Sequence, residues 1–312
     1  MGKVSIVIPC YNSEKTIGMV VDEVVSEMKQ LHYDFEVILV CDGLWPRLWD
    51  VIRELSDKYY PIVKGIRFAK NFGQHSALMA GYRESIGDVV IQLDDDGQCT
   101  PKGIKILLNK IEEGYDVVFA NYPESKKSWF RKWGSEVNRK MCISLVGMPK
   151  NIHANSFSAM RRYVVDEMIR YDKPYPYVGG LMFRATSNMC DVQIEHHERT
   201  EGESGYNLRK LIKLWLNGFT AFSVKPLEAA SVTGFIIALI GLIFALFVIV
   251  RKLCGYSVLA GWSSVIALIL IVGGINLIML GLVGEYIGRI YLSINNMPQY
   301  VIKDIYEGRG EK

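Results

Sequence analysis

The sequence predicts an α/β protein: a mainly parallel, Rossmann-like sheet with helices on both faces, followed by an interfacial amphipathic helix and a two-helix transmembrane hairpin. Three observations predict it. Short β-rich runs alternate with helical patterns over the first 121 residues, the alternation that builds a parallel sheet. One of those runs ends directly on three carboxylates, Asp94-Asp95-Asp96. Near the C-terminus, two stretches reach the roughly 20 residues that a helix needs to cross a bilayer without carrying a charge.

The apolar, β-branched runs at 4–9, 35–41, 62–68, 89–93 and 117–121 read as the strands, with helical patterns between them. In an open sheet of this kind the ligand lies beyond the carboxyl ends of the strands. The residues in those positions are Pro9-Cys10-Tyr11-Asn12-Ser13-Glu14, Asp42-Gly43, Lys70-Asn71-Phe72-Gly73-Gln74, and Asp94-Asp95-Asp96-Gly97-Gln98. Aromatic, amide and carboxylate groups at one edge suit a base, a ribose and a metal-bound diphosphate. Mg²⁺ takes one or two protein carboxylates and completes its octahedron with water and phosphate oxygens, which is what a carboxylate cluster at a strand end offers. The plainer alternative is an acidic turn capping the next helix. Neither Gly-x-Gly-x-x-Gly nor Gly-x-x-x-x-Gly-Lys-Ser/Thr is present, so the usual dinucleotide and P-loop readings lose their main support.

No charge falls between 229 and 250 or between 263 and 283. The first stretch is apolar all round, which leaves no face for water and points to membrane helices over about 231–250 and 263–283. The short connection implies a hairpin with both flanks on one side. Arg209, Lys210, Lys213 and Lys225 before it, with Arg289, Lys303 and Arg309 after it, outnumber Arg251 and Lys252 in the connection, so the flanks are expected in the cytoplasm. Leu208, Leu211, Ile212, Trp215, Leu216 and Phe219 recur at helical spacing with Arg209, Lys210 and Lys213 on another face, the pattern of a helix lying in the headgroup layer. The chain enters its first strand at Val4 with no leader pattern, so the N-terminal part is expected to stay cytoplasmic.

Composition removes several classes. A net charge of +3 is too small to indicate nucleic acid. The six cysteines show no Cys-x-x-Cys pairing, so neither a disulfide framework nor a zinc site is indicated. His196-His197 on a strand would point to opposite faces, with no further ligand at metal spacing.

Six segments in order resemble one family. They are 7–12 (Val-Ile-Pro-Cys-Tyr-Asn), 71–81 (Asn-Phe-Gly-Gln-His-Ser-Ala-Leu-Met-Ala-Gly), 93–98, 199–210 around Arg199, Ser204 and Tyr206, 222–227, and 282–291 around Glu285 and Arg289. They are similar to the family 2 glycosyltransferases of GT-A fold, specifically the membrane enzymes that load a sugar onto a polyprenyl phosphate: bactoprenol glucosyltransferases, dolichol-phosphate mannose synthases and undecaprenyl-phosphate aminoarabinose transferases. The resemblance covers nearly the whole chain.

The resemblance implies a cytoplasmic catalytic domain over 1–204, a juxtamembrane amphipathic segment over 205–228, two membrane helices within 229–284 and a cytoplasmic C-terminal tail over 285–312. It implies a multi-pass protein of the inner or plasma membrane. Pro9, Tyr11, Asn12, Glu14, Asp42, Asn71, Asp94 and Asp95 would bind a nucleotide sugar, which the resemblance implies to be UDP-linked. Asp94, Asp96 and Gln98 would hold Mg²⁺ or Mn²⁺. Arg131, Ser135, Arg199 and Ser204 would grip the acceptor phosphate, and Asp96, Arg199 and Asp94 would carry catalysis. A homo-oligomer is compatible with it. Three departures stand out: Leu44-Trp45-Pro46 where the family commonly has a polar turn, Gly97 where it has Leu, and Ser156-Phe157-Ser158 where an Asp-Phe-Arg element is common. A non-catalytic membrane scaffold of the same fold and a processive polysaccharide synthase are the alternatives; the synthases carry a Gln-x-x-Arg-Trp element that this chain lacks.

Overall fold

A computed structural model describes residues 2–122, 139, 142–143, 147–194, 225–254, 261–295 and 297–309. It divides into two compact units, Met1–Asn207 with Asn296–Lys312, and Leu208–Asn295.

The first unit is built on one eight-stranded sheet. Strands β1 (Val4–Cys10), β2 (Phe35–Cys41), β3 (Val63–Phe68), β4 (Val89–Gln92) and β5 (Val117–Asn121) fall within a residue of the expected runs. Every residue of β1 is buried, as a central parallel strand covered on both faces must be. Helices α1 (Ile17–Gln30), α2 (Pro46–Lys58), α3 (Gln74–Glu84) and α4 (Gly103–Glu112) form the connections. Ile17, Val20, Val21, Val24 and Met28 recur on one face of α1 and are buried there. Pro46 opens α2 at a position whose N–H has no helical partner in any case. At Gly81 a Cβ would come within 2.3 Å of Val7 Cγ1, so the absence of a side chain lets α3 lie close on the sheet.

The sheet is more mixed than the alternation alone suggests. Strand β6 (Ser158–Arg161) runs antiparallel between β4 and β5, followed by α5 (Arg162–Ile169), α6 (Val178–Ala185) and β7 (Met189–Gln193), which is parallel to β5. After two long helices the chain returns as β8 (Ile302–Tyr306), antiparallel on the edge of β3, and the strand order is β7-β5-β6-β4-β1-β2-β3-β8. These three strands are only four or five residues long. Neither β7 nor β8 is buried on both faces, so their apolar signal is weak. The last strand lies in the segment expected to be a tail, and it covers a sheet edge that would otherwise expose unpaired backbone groups.

The second unit holds α7 (Lys225–Leu253) and α8 (Trp262–Ile294), of 29 and 33 residues. Their apolar side chains face outward: Phe235 is 70% exposed, Leu277 72% and Ile278 73%. The segment Ile271–Leu292 is long and apolar enough to cross a membrane, and Ala230–Gly241 is a shorter apolar stretch. The expected spans at 231–250 and 263–283 lie inside these two helices. Most of the expected amphipathic helix, 205–224, lies outside the described residues.

Candidate active site

Parallel strands β1, β2, β3 and β4 end at one edge, and the turns that follow them interlock. After β1, Asn12 takes a positive φ of 56°, a conformation that Asn tolerates better than most residues. The backbone N–H of Tyr11 then donates to Asp95 Oδ2 at 2.8 Å, and Thr16 Oγ1 donates to the Asp95 carbonyl at 2.7 Å. Beyond β2, Asp42 is buried and turns inward. Its two carboxylate oxygens accept the N–H groups of Phe72 and Gly73 at 2.7 and 2.9 Å, so it pins the loop that precedes α3. At the start of α3, Gln74 Nε2 donates to Asp94 Oδ1 at 3.0 Å, while the Ser156 hydroxyl donates to Asp94 Oδ2. Asp96 Oδ1 accepts the N–H of Gln98 at 3.0 Å across a turn in which Gly97 has φ 72°. Gly97 thus occupies the left-handed region, where the family's common Leu would be strained.

Burial governs the electrostatics. It pushes Asp95 up to about 6, against the opposing Ser13 hydroxyl and Tyr11 amide. Asp94 is raised by burial and further by the charge of Asp96, opposed by the hydrogen bonds from Ser156 and Gln74. Asp42 is raised because burial outweighs its two amide hydrogen bonds. Three carboxylates in sequence, two of them held up by burial, form a site short of positive charge.

The structure therefore brings together Tyr11, Asp94, Asp95, Asp96 and Gln98, with Pro9 at the end of β1 and Asn12, Glu14 and Asn71 in the turns at the same edge. It gives Asp42 a loop-holding task that sequence alone did not suggest. Arg131, Ser135, Arg199 and Ser204 lie outside the described residues. Ser156 and Gln74 were missed as partners of Asp94. Ser156 is 62 positions away in the chain, and no local pattern could have found it. Trp45 stood out in the sequence only as part of an apolar turn that departs from the family pattern. It packs on the core, and its ring meets exposed Tyr11 edge-on at 5.2 Å, so the apolar turn after β2 forms a wall of the site.

His75, the second residue of α3, stands edge-on to Tyr177 at 5.4 Å. Its Nδ1 is sealed from solvent with no hydrogen-bond partner among the described residues. Burial holds the imidazole down, to about 4 from 6.5. The folded state therefore binds this proton less readily than the unfolded chain. The associated stability is complete above pH 6.5 and is lost as pH falls toward 4, an effect of up to about 3 kcal/mol. His75→Phe is expected to flatten this dependence: melting curves at pH 7 and pH 5 should differ less for the variant than for the wild type. An equal difference in both would exclude His75 as the source.

A carboxylate cluster at the carboxyl edge of a mainly parallel sheet is the arrangement expected of the GT-A fold. Solved structures share the fold. Glucosyl-3-phosphoglycerate synthase from Mycobacterium tuberculosis, in complex with Mn²⁺, UDP and glucosyl-3-phosphoglycerate, superposes with a TM-score of 0.51 at 16% identity over 69% of this chain and 76% of that one. The same enzyme with Mn²⁺ and UDP-glucose gives 0.51 at 15% identity over 70% of this chain and 77% of that one. Residues 5–169 match the family described as Glycosyl transferase family 2. The chain belongs to that family. It is 33% identical over 307 residues to the undecaprenyl-phosphate 4-deoxy-4-formamido-L-arabinose transferase of Proteus mirabilis (strain HI4320), covering 98% of this chain and 94% of that protein. It is 35% identical over 303 residues to the uncharacterized glycosyltransferase YkcC of Bacillus subtilis (strain 168), covering 97% and 94%.

Proposed function

We propose that this glycosyltransferase moves a sugar from a UDP-linked donor to undecaprenyl phosphate or a related polyprenyl phosphate by a metal-dependent, inverting single displacement. The product is a lipid-linked monosaccharide for modifying cell-envelope glycans. The observation that carries this reading is the similarity to an undecaprenyl-phosphate sugar transferase, which extends over 98% of the chain and so takes in the carboxylate edge and both long helices.

On this reading α7 and α8 form a membrane hairpin with both flanks on the cytoplasmic side. Domain limits follow the expectation: catalytic residues to 204, a juxtamembrane segment over 205–228, the hairpin within 229–284. The residues from 285 onward stay cytoplasmic and, through β8, complete the catalytic sheet. Tyr11 and Trp45 offer the aromatic surface for the base; Pro9, Asn12, Glu14 and Asn71 line the same edge, and Asp95 reaches the ribose and diphosphate. Arg131, Ser135, Arg199 and Ser204 are assigned to the acceptor phosphate because guanidinium and hydroxyl groups suit its oxygens.

The donor set fits a hard divalent cation. Asp94, Asp96 and the Gln98 amide present oxygen ligands, and Mg²⁺ or Mn²⁺ needs only one or two carboxylates when diphosphate oxygens complete its shell. When bound, the cation supplies Lewis-acid neutralisation of charge on the departing nucleoside diphosphate. The chain's own residues do the rest. Ser156 and Gln74 hold Asp94 in one orientation, and the Tyr11 amide does the same for Asp95. The acceptor needs little help from a base, because a phosphate monoester with a second pKa near about 6 is already largely ionised at neutral pH. Its oxygen attacks the anomeric carbon while the diphosphate leaves from the opposite face.

The test is an assay of the full chain in lipid nanodiscs with undecaprenyl phosphate, a panel of UDP- and GDP-sugars, and Mg²⁺ or Mn²⁺, reading the glycolipid by mass spectrometry. A single productive donor, with turnover abolished by EDTA, is the expected result. No glycolipid from any donor would overturn the reading.

A further inference from the structure

Beyond the carboxylate cluster, the far side of the same sheet edge holds a second polar group. On β7, Asp191 Oδ2 accepts Asn121 Nδ2 from the end of β5 at 2.9 Å and lies 2.9 Å from His153 Nδ1. Strands β5 and β7 are parallel, with Asp191 beside Phe119 and Asn121 beside Gln193, so the group sits toward their shared carboxyl ends. Asp191 is only 19% exposed while the His153 side chain is 57% exposed. This graded burial distinguishes the group from an ordinary surface ion pair, in which both partners are solvated and contribute little. Asp191 is fixed by a second donor before the imidazole reaches it. A carboxylate on Nδ1 sets the orientation of the ring and leaves Nε2 as the working nitrogen. No partner for Nε2 is found among the described residues.

Two tethers place this group close to the carboxylate cluster. Ser156, which donates to Asp94, follows His153 by three residues, so their Cα atoms are at most about 11 Å apart even in a fully extended chain. From the end of β5, the Tyr122 hydroxyl donates to Cys99 Sγ at 3.2 Å, one residue beyond Gln98. In chain order, Arg131 and Ser135 come after β5, and Arg199 and Ser204 come after β7. Asn121 and Asp191 thus lie on the two strands that precede, in the chain, the residues assigned above to the acceptor phosphate.

We propose that His153, oriented by Asp191 and Asn121, is a further binding residue for the phosphate of the lipid acceptor, with Nε2 hydrogen-bonded to a phosphate oxygen. This rests on the glycosyl-transfer reading above. The imidazole suits the ligand in either protonation state: as imidazolium it donates to an ionised oxygen, and as neutral imidazole it accepts from a P–OH. Asp191, 2.9 Å from Nδ1, fixes the orientation of the ring in both. Asp191 is a positioning residue, acting through the ring.

The test uses the full chain in nanodiscs and three probes: citronellyl phosphate as a soluble isoprenyl phosphate, inorganic phosphate, and UDP with Mn²⁺. Binding is followed by ³¹P NMR for the first two and by calorimetry for UDP. His153→Ala is expected to weaken citronellyl phosphate about tenfold and Asp191→Asn about threefold, the scale of one hydrogen bond to a charged group. His153→Gln, which keeps a polar side-chain end, should recover part of the loss. UDP affinity and melting temperature should hold, and in turnover the KM for undecaprenyl phosphate should rise while kcat and the donor KM stay level. Inorganic phosphate competing as well as citronellyl phosphate would overturn the lipid-acceptor assignment. Unchanged isoprenyl-phosphate binding in His153→Ala, with wild-type UDP binding and turnover intact, would overturn this proposal alone. Loss of UDP affinity or of melting temperature in step with the phosphate would also overturn it, assigning His153 to the donor side or to folding. A wild type that binds neither UDP nor citronellyl phosphate would overturn both this proposal and the transfer reading.

Discussion

Asp96→Asn is expected to lower kcat by about 10²- to 10³-fold, the scale associated with removing one group that stabilises charge developing in a transition state. The substitution is nearly isosteric, and the Asn oxygen can still accept the Gln98 N–H that Asp96 Oδ1 accepts at 3.0 Å. The turn through Gly97 is therefore retained, and melting temperature should change little. What is lost is a full negative charge at the position assigned to the cation. Raising Mn²⁺ should recover part of the activity if weaker cation binding is the cause. Glycolipid formation measured by mass spectrometry beside a melting curve decides the matter. Turnover within a few-fold of wild type would remove Asp96 from the catalytic set.

Arg83→Met is expected to cost about 3 kcal/mol of stability, through groups left without donors rather than through lost charge. Arg83 lies near the end of α3, the helix that begins at Gln74. Its guanidinium donates to Gln299 Oε1 at 3.2 Å, the Tyr300 hydroxyl at 2.9 Å, and the carbonyls of Ile169 and Tyr171 at 3.4 and 3.0 Å. Gln299 is buried and donates in turn to the carbonyls of Tyr171 and Lys173. Tyr300 stacks on Phe68 at 5.1 Å, so the approach to β8 is fastened to the core of the sheet as well as to α3. Met preserves the aliphatic volume and removes every donor. For a unit of about 200 residues, such a loss should lower the melting temperature by about 6–12 °C. A shift below about 2 °C would mean that the network is easily replaced by water.

How much of this was legible beforehand depends on the range over which each feature is encoded. The first five strands were readable because a buried strand is a continuous apolar run, and β1 has no exposed residue. The carboxylate cluster was readable because Asp94, Asp95 and Asp96 are adjacent and directly follow β4. The turn at Gly97 was visible only as a departure from a family pattern, and its φ of 72° supplies the reason. Strand β8 escaped because it alternates half-buried and exposed residues over five positions, and because its partner β3 lies more than 230 residues earlier. Trp45 packs on the core, and proximity to Tyr11, which no local pattern encodes, gives it a second role.

The amino-acid sequence by itself determined the α/β class, the edge at which the chemistry-bearing residues gather, and the family, since these follow from local periodicity and from motifs contiguous in the chain. Tertiary structure alone decided which groups hold the carboxylates. Ser156 and Gln74 converge on Asp94 from 62 and 20 positions away, Asp42 turns inward to bind the loop before α3, and Asp191 joins Asn121 to His153. The physical reason is that a hydrogen bond depends on distance and angle between two groups, whereas sequence records only their order. Pairings separated by tens of residues become defined once sheet register and helix packing have placed both ends.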